Sequence, residues 1–182
     1  MRPGRRGGVV LWFTGLSGAG KSTLAAAVAA RLDASRQRVE VLDGDAVRAV
    51  LSRDLGFSRE DRDTQVMRLA FVARLLARNG VFVLVAAISP FRRARDDARS
   101  SIGDFVEVHV ATPLRECIKR DTKGLYARAM SGQIEHFTGI SDPYEAPRAP
   151  EITVDTSSLS LDASVARILS KLEELGYLGA VA

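Results

Sequence analysis

The segment Gly15-Leu16-Ser17-Gly18-Ala19-Gly20-Lys21-Ser22 constrains the fold more than any other stretch of the chain. The apolar run Val9-Val10-Leu11-Trp12-Phe13 leads into it, and an alanine-rich helical stretch, Thr23 to Leu32, leads out. A strand must end, the chain must turn within a few residues, and a helix must begin. In that context the spacing Gly-x-x-x-x-Gly-Lys-Ser reads as a phosphate-binding loop. Its glycines let backbone N–H groups point inward around phosphate oxygens, and the helix N-terminus adds positive potential. The reading assigns nucleotide phosphates to Gly15, Leu16, Ser17, Gly18, Ala19, Gly20, Lys21, Ser22 and Thr23. Lys21 reaches the β- and γ-phosphates, and the Ser22 hydroxyl ligates Mg²⁺.

Val-rich runs recur along the chain at Val9–Phe13, Arg38–Leu42, Val81–Ala86, Phe105–Val110 and Ile152–Val154. They are continuous rather than alternating, as strands buried on both faces are. Helical stretches lie between them: Lys21–Leu32, Ala46–Arg53, Arg59–Arg78, Arg92–Ser101, Pro113–Lys119 and Ser164–Leu175. This alternation predicts an α/β fold, a P-loop NTPase-type open parallel sheet with helices on both faces. Ligands then bind beyond the carboxyl ends of the strands. Residues 1–8 read as a flexible basic tail and 9–182 as one domain, with 182 residues enough for a sizeable core. The connection from Lys119 to Pro150 is irregular and reads as a lid or binding loop.

Charge and cysteine content exclude several classes. Twenty-six Lys and Arg against 22 Asp and Glu give a scattered excess, without the basic stripe and interleaved aromatics of a nucleic-acid surface. No apolar run approaches the length of a membrane span. A single cysteine forms no internal disulfide, so a reducing cytoplasm is expected.

The second strand ends in Leu42-Asp43-Gly44-Asp45, which puts two carboxylates beside the mouth of the phosphate loop. Kinase chemistry needs a carboxylate near the accepting hydroxyl and oxygen ligands for Mg²⁺. Asp43 is the first candidate for both roles. Asp45 is the second, and it also reads as a helix N-cap before Ala46. Arg48, one helical turn beyond Asp45, is placed to hold an anionic acceptor. No acidic residue closes the third strand, and no Asn-Lys-x-Asp element occurs, so a motor-type ATPase and a GTPase switch are disfavoured.

These residues resemble the adenylyl-sulfate kinase (APS kinase) family. The likeness runs from about Val9 to the C-terminus. It rests on the loop Gly15–Thr23, on Leu42–Asp45 with Arg48, on Leu55-Gly56-Phe57-Ser58 with Glu60-Asp61-Arg62, and on Ile88-Ser89-Pro90-Phe91. Lys123-Gly124-Leu125-Tyr126, Phe137-Thr138-Gly139-Ile140 and Pro143–Pro147 complete it. The resemblance implies transfer of the ATP γ-phosphoryl group to the 3′-hydroxyl of adenosine 5′-phosphosulfate (APS), with Mg²⁺, in sulfate assimilation. It implies that Lys21, Asp43 and Ser89 are catalytic, and that Phe57 and Phe137 sandwich the substrate adenine. It further implies that Arg48 and Arg62 hold the phosphosulfate. By the same resemblance, Asp43, Asp45, Gln65, Ile88, Ser89 and Thr138 complete the acceptor site, and Lys123, Gly124, Leu125 and Tyr126 match a mobile lid over the nucleotides. It also implies a homodimer.

Several of these residues have a second, structural reading. Phenylalanines usually pack in cores, although Phe57 and Phe137 sit in glycine-containing polar loops, where binding aromatics concentrate. Ser89 is marked as an active-site serine, in some family members a phosphate acceptor, yet Ser89-Pro90 also reads as an N-cap with Pro at the first helical position. Cys117 and His109 read as structural. The chain departs from the family pattern at Gln65 and His136, where asparagine is usual, and in the order Ser141-Asp142. Gln65 keeps the amide on a side chain one methylene longer, which shifts its hydrogen bonds. A kinase for another nucleoside or alcohol, or a nucleotide-binding regulatory module, would share the phosphate loop.

Overall fold

All five Val-rich runs form strands: β1 (Val10–Thr14), β2 (Val39–Asp43), β3 (Phe82–Ala86), β4 (Phe105–Val110) and β5 (Ile152–Val154). The computed structural model describes residues 7–179. The strands make one sheet in the order β2-β3-β1-β4-β5, with every neighbouring pair parallel. The central strand is therefore β1, and the phosphate loop leaves its carboxyl end. Most of the expected basic tail lies outside the described residues. Gly8 already belongs to the packed domain, buried and donating its N–H to Ala77 O at 3.1 Å.

The helices are α1 (Lys21–Ala34), α2 (Gly44–Leu51), α3 (Arg59–Ala77), α4 (Arg92–Ile102), α5 (Leu114–Arg120), α6 (Leu125–Met130) and α7 (Leu161–Glu174). Strand alternation feeds two cores, one on each side of the sheet. Val9, Leu11 and Phe13 pack with Leu24 and Val28 of α1 and with Val165 and Ile168 of α7. Val10 and Trp12 pack with Val66, Leu69 and Ala73 of α3 and Ala94 and Ala98 of α4. Both faces are covered, which is why β1 and β3 are buried along their whole length. Cys117 is fully buried in the first core. His109 stacks on Tyr144 with ring centroids 6.1 Å apart, and burial holds its pKa below the ordinary range.

Side-chain caps set the starts of α2, α3 and α7. Ser58 Oγ accepts from Asp61 N at the start of α3, and Ser160 Oγ accepts from Ala163 N at the start of α7. The second cap places the start of α7 at Leu161 rather than Ser164. Two expectations are corrected. The cap of α2 is Asp43, whose Oδ1 accepts from Asp45 N at 2.9 Å and Ala46 N at 3.3 Å, while Asp45 itself lies inside the first turn. Ser89 does not cap α4 either. That helix starts at Arg92, and its first N–H donates to Glu145 Oε2 at 3.0 Å from a distant loop. The Lys119–Pro150 connection is less irregular than expected, because α6 forms within it. Its N-cap residue is Gly124, and the two carboxylate oxygens of Asp121 upstream accept from Tyr126 N and Ala127 N at 3.0 Å each.

Candidate active site

The loop after β1 keeps its shape because its carbonyls are held from behind. Tyr126 OH donates to Ser17 O at 2.9 Å, Arg120 Nη1 to Gly18 O at 3.2 Å, and Thr112 and Thr156 hydroxyls to Ala19 O at 3.0 and 2.9 Å. Tethered carbonyls leave the loop's amides to form an anion-binding concavity. Gly15 admits the backbone of β4, since a Cβ there would lie 2.5 Å from Val110 O. Gly20 takes φ +99 to turn the chain into α1, a conformation that favours glycine. Gly15, Leu16 and Ala19 therefore shape the loop. Ser17, Gly18, Gly20, Lys21, Ser22 and Thr23 line the cleft in front of it.

Lys21 Nζ donates to Leu16 O at 2.7 Å. Burial lowers its pKa to about 8, against the opposing pull of Asp45 and Asp43. Ser22 Oγ donates to Asp43 Oδ2 at 2.7 Å, which joins the end of β2 to the start of α1. Partial burial works to raise the Asp43 carboxyl, but hydrogen bonds from the Ser22 hydroxyl and the Ala46 and Asp45 amides hold it below the usual carboxylate range.

The cleft has a volume of about 740 Å³ and continues from Asp43 toward a second wall. Arg48 donates to Leu55 O and Gly56 O at 3.2 and 2.8 Å, with its guanidinium carbon 4.7 Å from the centroid of the Phe57 ring. Phe57 is 59% exposed. Arg62 is buried and donates to Phe57 O at 2.8 Å, to Thr138 Oγ1 at 2.5 Å and to His136 O, with Asp142 Oδ2 3.6 Å away. It thereby fastens the loop before α3 to the 136–142 loop. Phe137 is 9% exposed and meets Tyr126 edge-to-face at 5.0 Å, so it belongs to the core and to the cleft wall at once. The two phenylalanines stand in different environments, one open and one packed.

Gln65 shares the buried face of α3 with Arg62. Its Nε2 donates to Gly44 O at 3.3 Å, and its Oε1 is buried without a hydrogen-bond partner. Buried polar atoms in folded proteins are nearly always paired. On the floor, Ile88 and Ser89 form the turn after β3, with Ser89 at φ +45. A non-glycine residue in the left-handed region costs about 1–2 kcal/mol. Ser89 Oγ accepts from Trp12 Nε1 at 3.0 Å.

Over the mouth, Lys123 Nζ lies 2.6 Å from Asp45 Oδ2, an exposed pair linking the α5–α6 connection to α2. Lys123 and Leu125 line the cleft, whereas Gly124 turns the chain at φ +65 without lining it. The structure thus brings Asp43, Asp45, Arg48, Phe57, Arg62, Gln65, Ile88, Ser89, Phe137 and Thr138 into one cavity with Lys21 and Ser22. Sequence reasoning missed Arg120 and Arg128, which line it too. The available signal was the basic Lys119-Arg120 end of α5, following a strand that neighbours the loop.

The adenylylsulphate kinase family model matches residues 7–155. The chain belongs to the adenylylsulphate kinase family. It is 55% identical to the adenylyl-sulfate kinase of Picosynechococcus sp. over 171 residues, covering 94% of this chain and 97% of that one. Among solved structures, the Mycobacterium tuberculosis APS kinase in complex with AMPPNP and APS superposes with a TM-score of 0.89 at 45% identity, over 92% of this chain and 98% of that one. A hexameric APS kinase from Thiobacillus denitrificans gives a TM-score of 0.74 at 42% identity, covering 95% of this chain and 30% of that one. As an adenylylsulphate kinase, the chain has the P-loop fold expected of it, with Gln65 and His136 lining the cleft.

Proposed function

We propose that this chain transfers the γ-phosphoryl group of ATP to the 3′-hydroxyl of adenosine 5′-phosphosulfate, giving ADP and 3′-phosphoadenosine 5′-phosphosulfate. The observation that carries the proposal is the single cleft in which Lys21, Ser22 and Asp43 meet Arg48, Arg62, Phe57 and Phe137. Lys21 and the loop amides stabilise charge on the transferring group, which is the main work of a loose phosphoryl-transfer transition state. Arg48 and Arg62 suit an anhydride with negative charge on both phosphate and sulfate. The phenylalanines offer faces for the adenine, a contact worth about 1–3 kcal/mol per stacked base. Lys123, Gly124 and Leu125 belong to a lid that excludes water during transfer.

The donor set fits Mg²⁺. Ser22 Oγ and Asp43 Oδ2 are hard oxygens 2.7 Å apart at the mouth of the loop. No group of three or more His, Cys, Asp or Glu among the described residues could hold a metal ion. Mg²⁺ is commonly bound through one or two protein oxygens plus substrate phosphates and waters. When bound it supplies charge neutralisation at the β- and γ-phosphates. Asp43 then orients the 3′-hydroxyl and receives its proton as the phosphoryl group arrives. Its low pKa makes it a weak base, which suffices where the transition state asks little of the base.

No helix among the described residues is long and apolar enough to cross a membrane. The cytoplasm and a homodimer belong to the same proposal. Exposed Val50 and Leu51 on α2 and Met67 and Phe71 on α3 support the homodimer, which light scattering tests. The activity is tested by a coupled assay for ADP release with APS, the product being identified by mass. Absence of turnover at micromolar APS, with ATP still bound, would overturn the reading.

A further inference from the structure

Arg95 on α4 is a buried cation that the phosphoryl-transfer account leaves unused. It is 2% exposed and does not line the cleft. Its guanidinium reaches three separate parts of the chain. Nε donates to Glu107 Oε1 on β4 at 2.7 Å, Nη1 to Ser89 O at 2.6 Å, and Nη2 to Glu145 O at 2.7 Å. Glu107 supplies the countercharge. Its other oxygen lies 3.5 Å from Arg99 Nη2, and Arg99 in turn holds both oxygens of Glu151 at 2.6 and 2.9 Å.

A buried ion pair of this kind adds little net stability over apolar residues of the same volume. Its geometry therefore calls for another reason, and Ser89 supplies one. Ser89 carries a side chain in the left-handed region and forms part of the cleft floor. Two donors from β1 hold the same turn: Trp12 Nε1 reaches Ser89 Oγ at 3.0 Å, and Thr14 Oγ1 reaches Ile88 O at 2.7 Å. The bond from Arg95 is the charge-assisted one of the three, and such bonds are roughly twice as strong as neutral ones.

We propose that Arg95 is a positioning residue for the phosphoryl acceptor. Paired with Glu107, it holds the Ile88–Ser89 turn in the strained shape that forms the acceptor floor. Through Glu145 O it joins that floor to the Pro143–Glu145 segment, whose Glu145 N also donates to Pro90 O at 2.8 Å. The inference rests on the kinase reading above.

The test compares Arg95→Lys with wild type by steady-state kinetics for each substrate and by ATP titration. Lysine keeps the charge opposite Glu107 but lacks the planar fork that serves three acceptors at once. The expected result is a fall of roughly tenfold or more in kcat/KM for APS, the worth of one charge-assisted hydrogen bond, while ATP affinity stays within about twofold of wild type. Ser89→Gly removes the side-chain penalty of the left-handed backbone. In that background the further effect of Arg95→Lys shrinks to within about threefold. Should Arg95→Lys fail to fold by circular dichroism, Glu107→Gln is read instead, with the same split between APS and ATP expected. Equal losses for both substrates, or an undiminished effect beside Ser89→Gly, would overturn the positioning role. Turnover of APS by the wild-type enzyme separates the two ideas. With turnover present, these outcomes sink the inference alone; without it, the kinase reading falls and the inference with it.

Discussion

Lys21 should make ATP binding a proton-linked event. In the ligand-free protein burial lowers its pKa from 10.5 to about 8. Phosphate oxygens around the ammonium favour the charged form, so the bound nucleotide restores a high pKa. Below pH 8 the lysine is already charged and binding exchanges no proton at this site. Well above pH 8 each complex takes up close to one proton from solution. Apparent ATP affinity then falls about tenfold per pH unit, so about tenfold is lost between pH 7 and pH 9. Calorimetric titrations at pH 8.5, in buffers of different ionisation enthalpy, should count roughly three-quarters of a proton taken up per ATP. Lys21→Met should abolish that uptake. The same shift has the opposite sign for the empty fold. Between about 8 and 10.5 the unfolded chain binds more protons than the folded one, so ligand-free stability rises with pH across that window, by up to about 3 kcal/mol. An ATP affinity that is flat from pH 7 to 9.5, or proton uptake that survives in Lys21→Met, would refute the reasoning.

Three further outcomes follow from the acceptor side. Phe57→Ala removes an exposed ring and should change stability by less than about 0.5 kcal/mol, whereas Phe137→Ala empties a packed site and should cost about 3 kcal/mol or more. Both should raise KM for APS with little change for ATP, and equal effects on the two nucleotides would show that these rings do not stack the substrate adenine. Asp43→Asn keeps a good N-cap for α2, so thermal unfolding should barely move while kcat falls about a hundredfold or more; a wild-type kcat would remove Asp43 from the reaction. Gln65→Met deletes the unpaired buried Oε1, so the ligand-free fold should be at least as stable as wild type while KM for APS rises. A lower melting temperature with an unchanged KM would show that the amide serves the fold alone.

The fold was legible because strand burial on two faces writes itself into composition. Val-rich runs need no alternation when both sides of a sheet are covered, as along β1 and β3, whereas the edge strands β2 and β5, expected to be buried on both faces, leave Glu40 and Thr153 exposed. Helix starts were less legible, since a cap depends on which side chain reaches back. Asp43 and Asp45 are both acceptable caps in sequence. The choice fell to Asp43 because its position at the end of β2 lets one carboxylate oxygen accept two amides while the other accepts from Ser22. Ser89-Pro90 misled for a related reason: the N–H of Arg92 is satisfied by Glu145, 53 residues away in the chain. The short helix α6 was invisible to periodicity, since its 6 residues span less than two turns and Asp121, which accepts from its Tyr126 and Ala127 amides, reads as an ordinary loop acid.

Cleft-lining residues were legible where a motif fixes both residue type and spacing, as at Lys21 and Ser22. They were not legible where one residue works through another. Nothing in Arg-Arg-Ala-Arg distinguishes Arg95 from Arg92 and Arg93. Burial does, because Arg95 lands on the sheet-facing side of α4, opposite a glutamate on β4 whose own alternation turns it inward. An acidic residue in an otherwise apolar strand is costly to bury unless a cation meets it. Glu107 within Phe105–Val110 is the acid that meets this cation, whereas Glu40 within Arg38–Leu42 has the same pattern in sequence and stays exposed on the edge strand β2. Only the packing of α4 against the sheet decides which arginine it is, and that choice ties the cleft floor at Ser89 to the core.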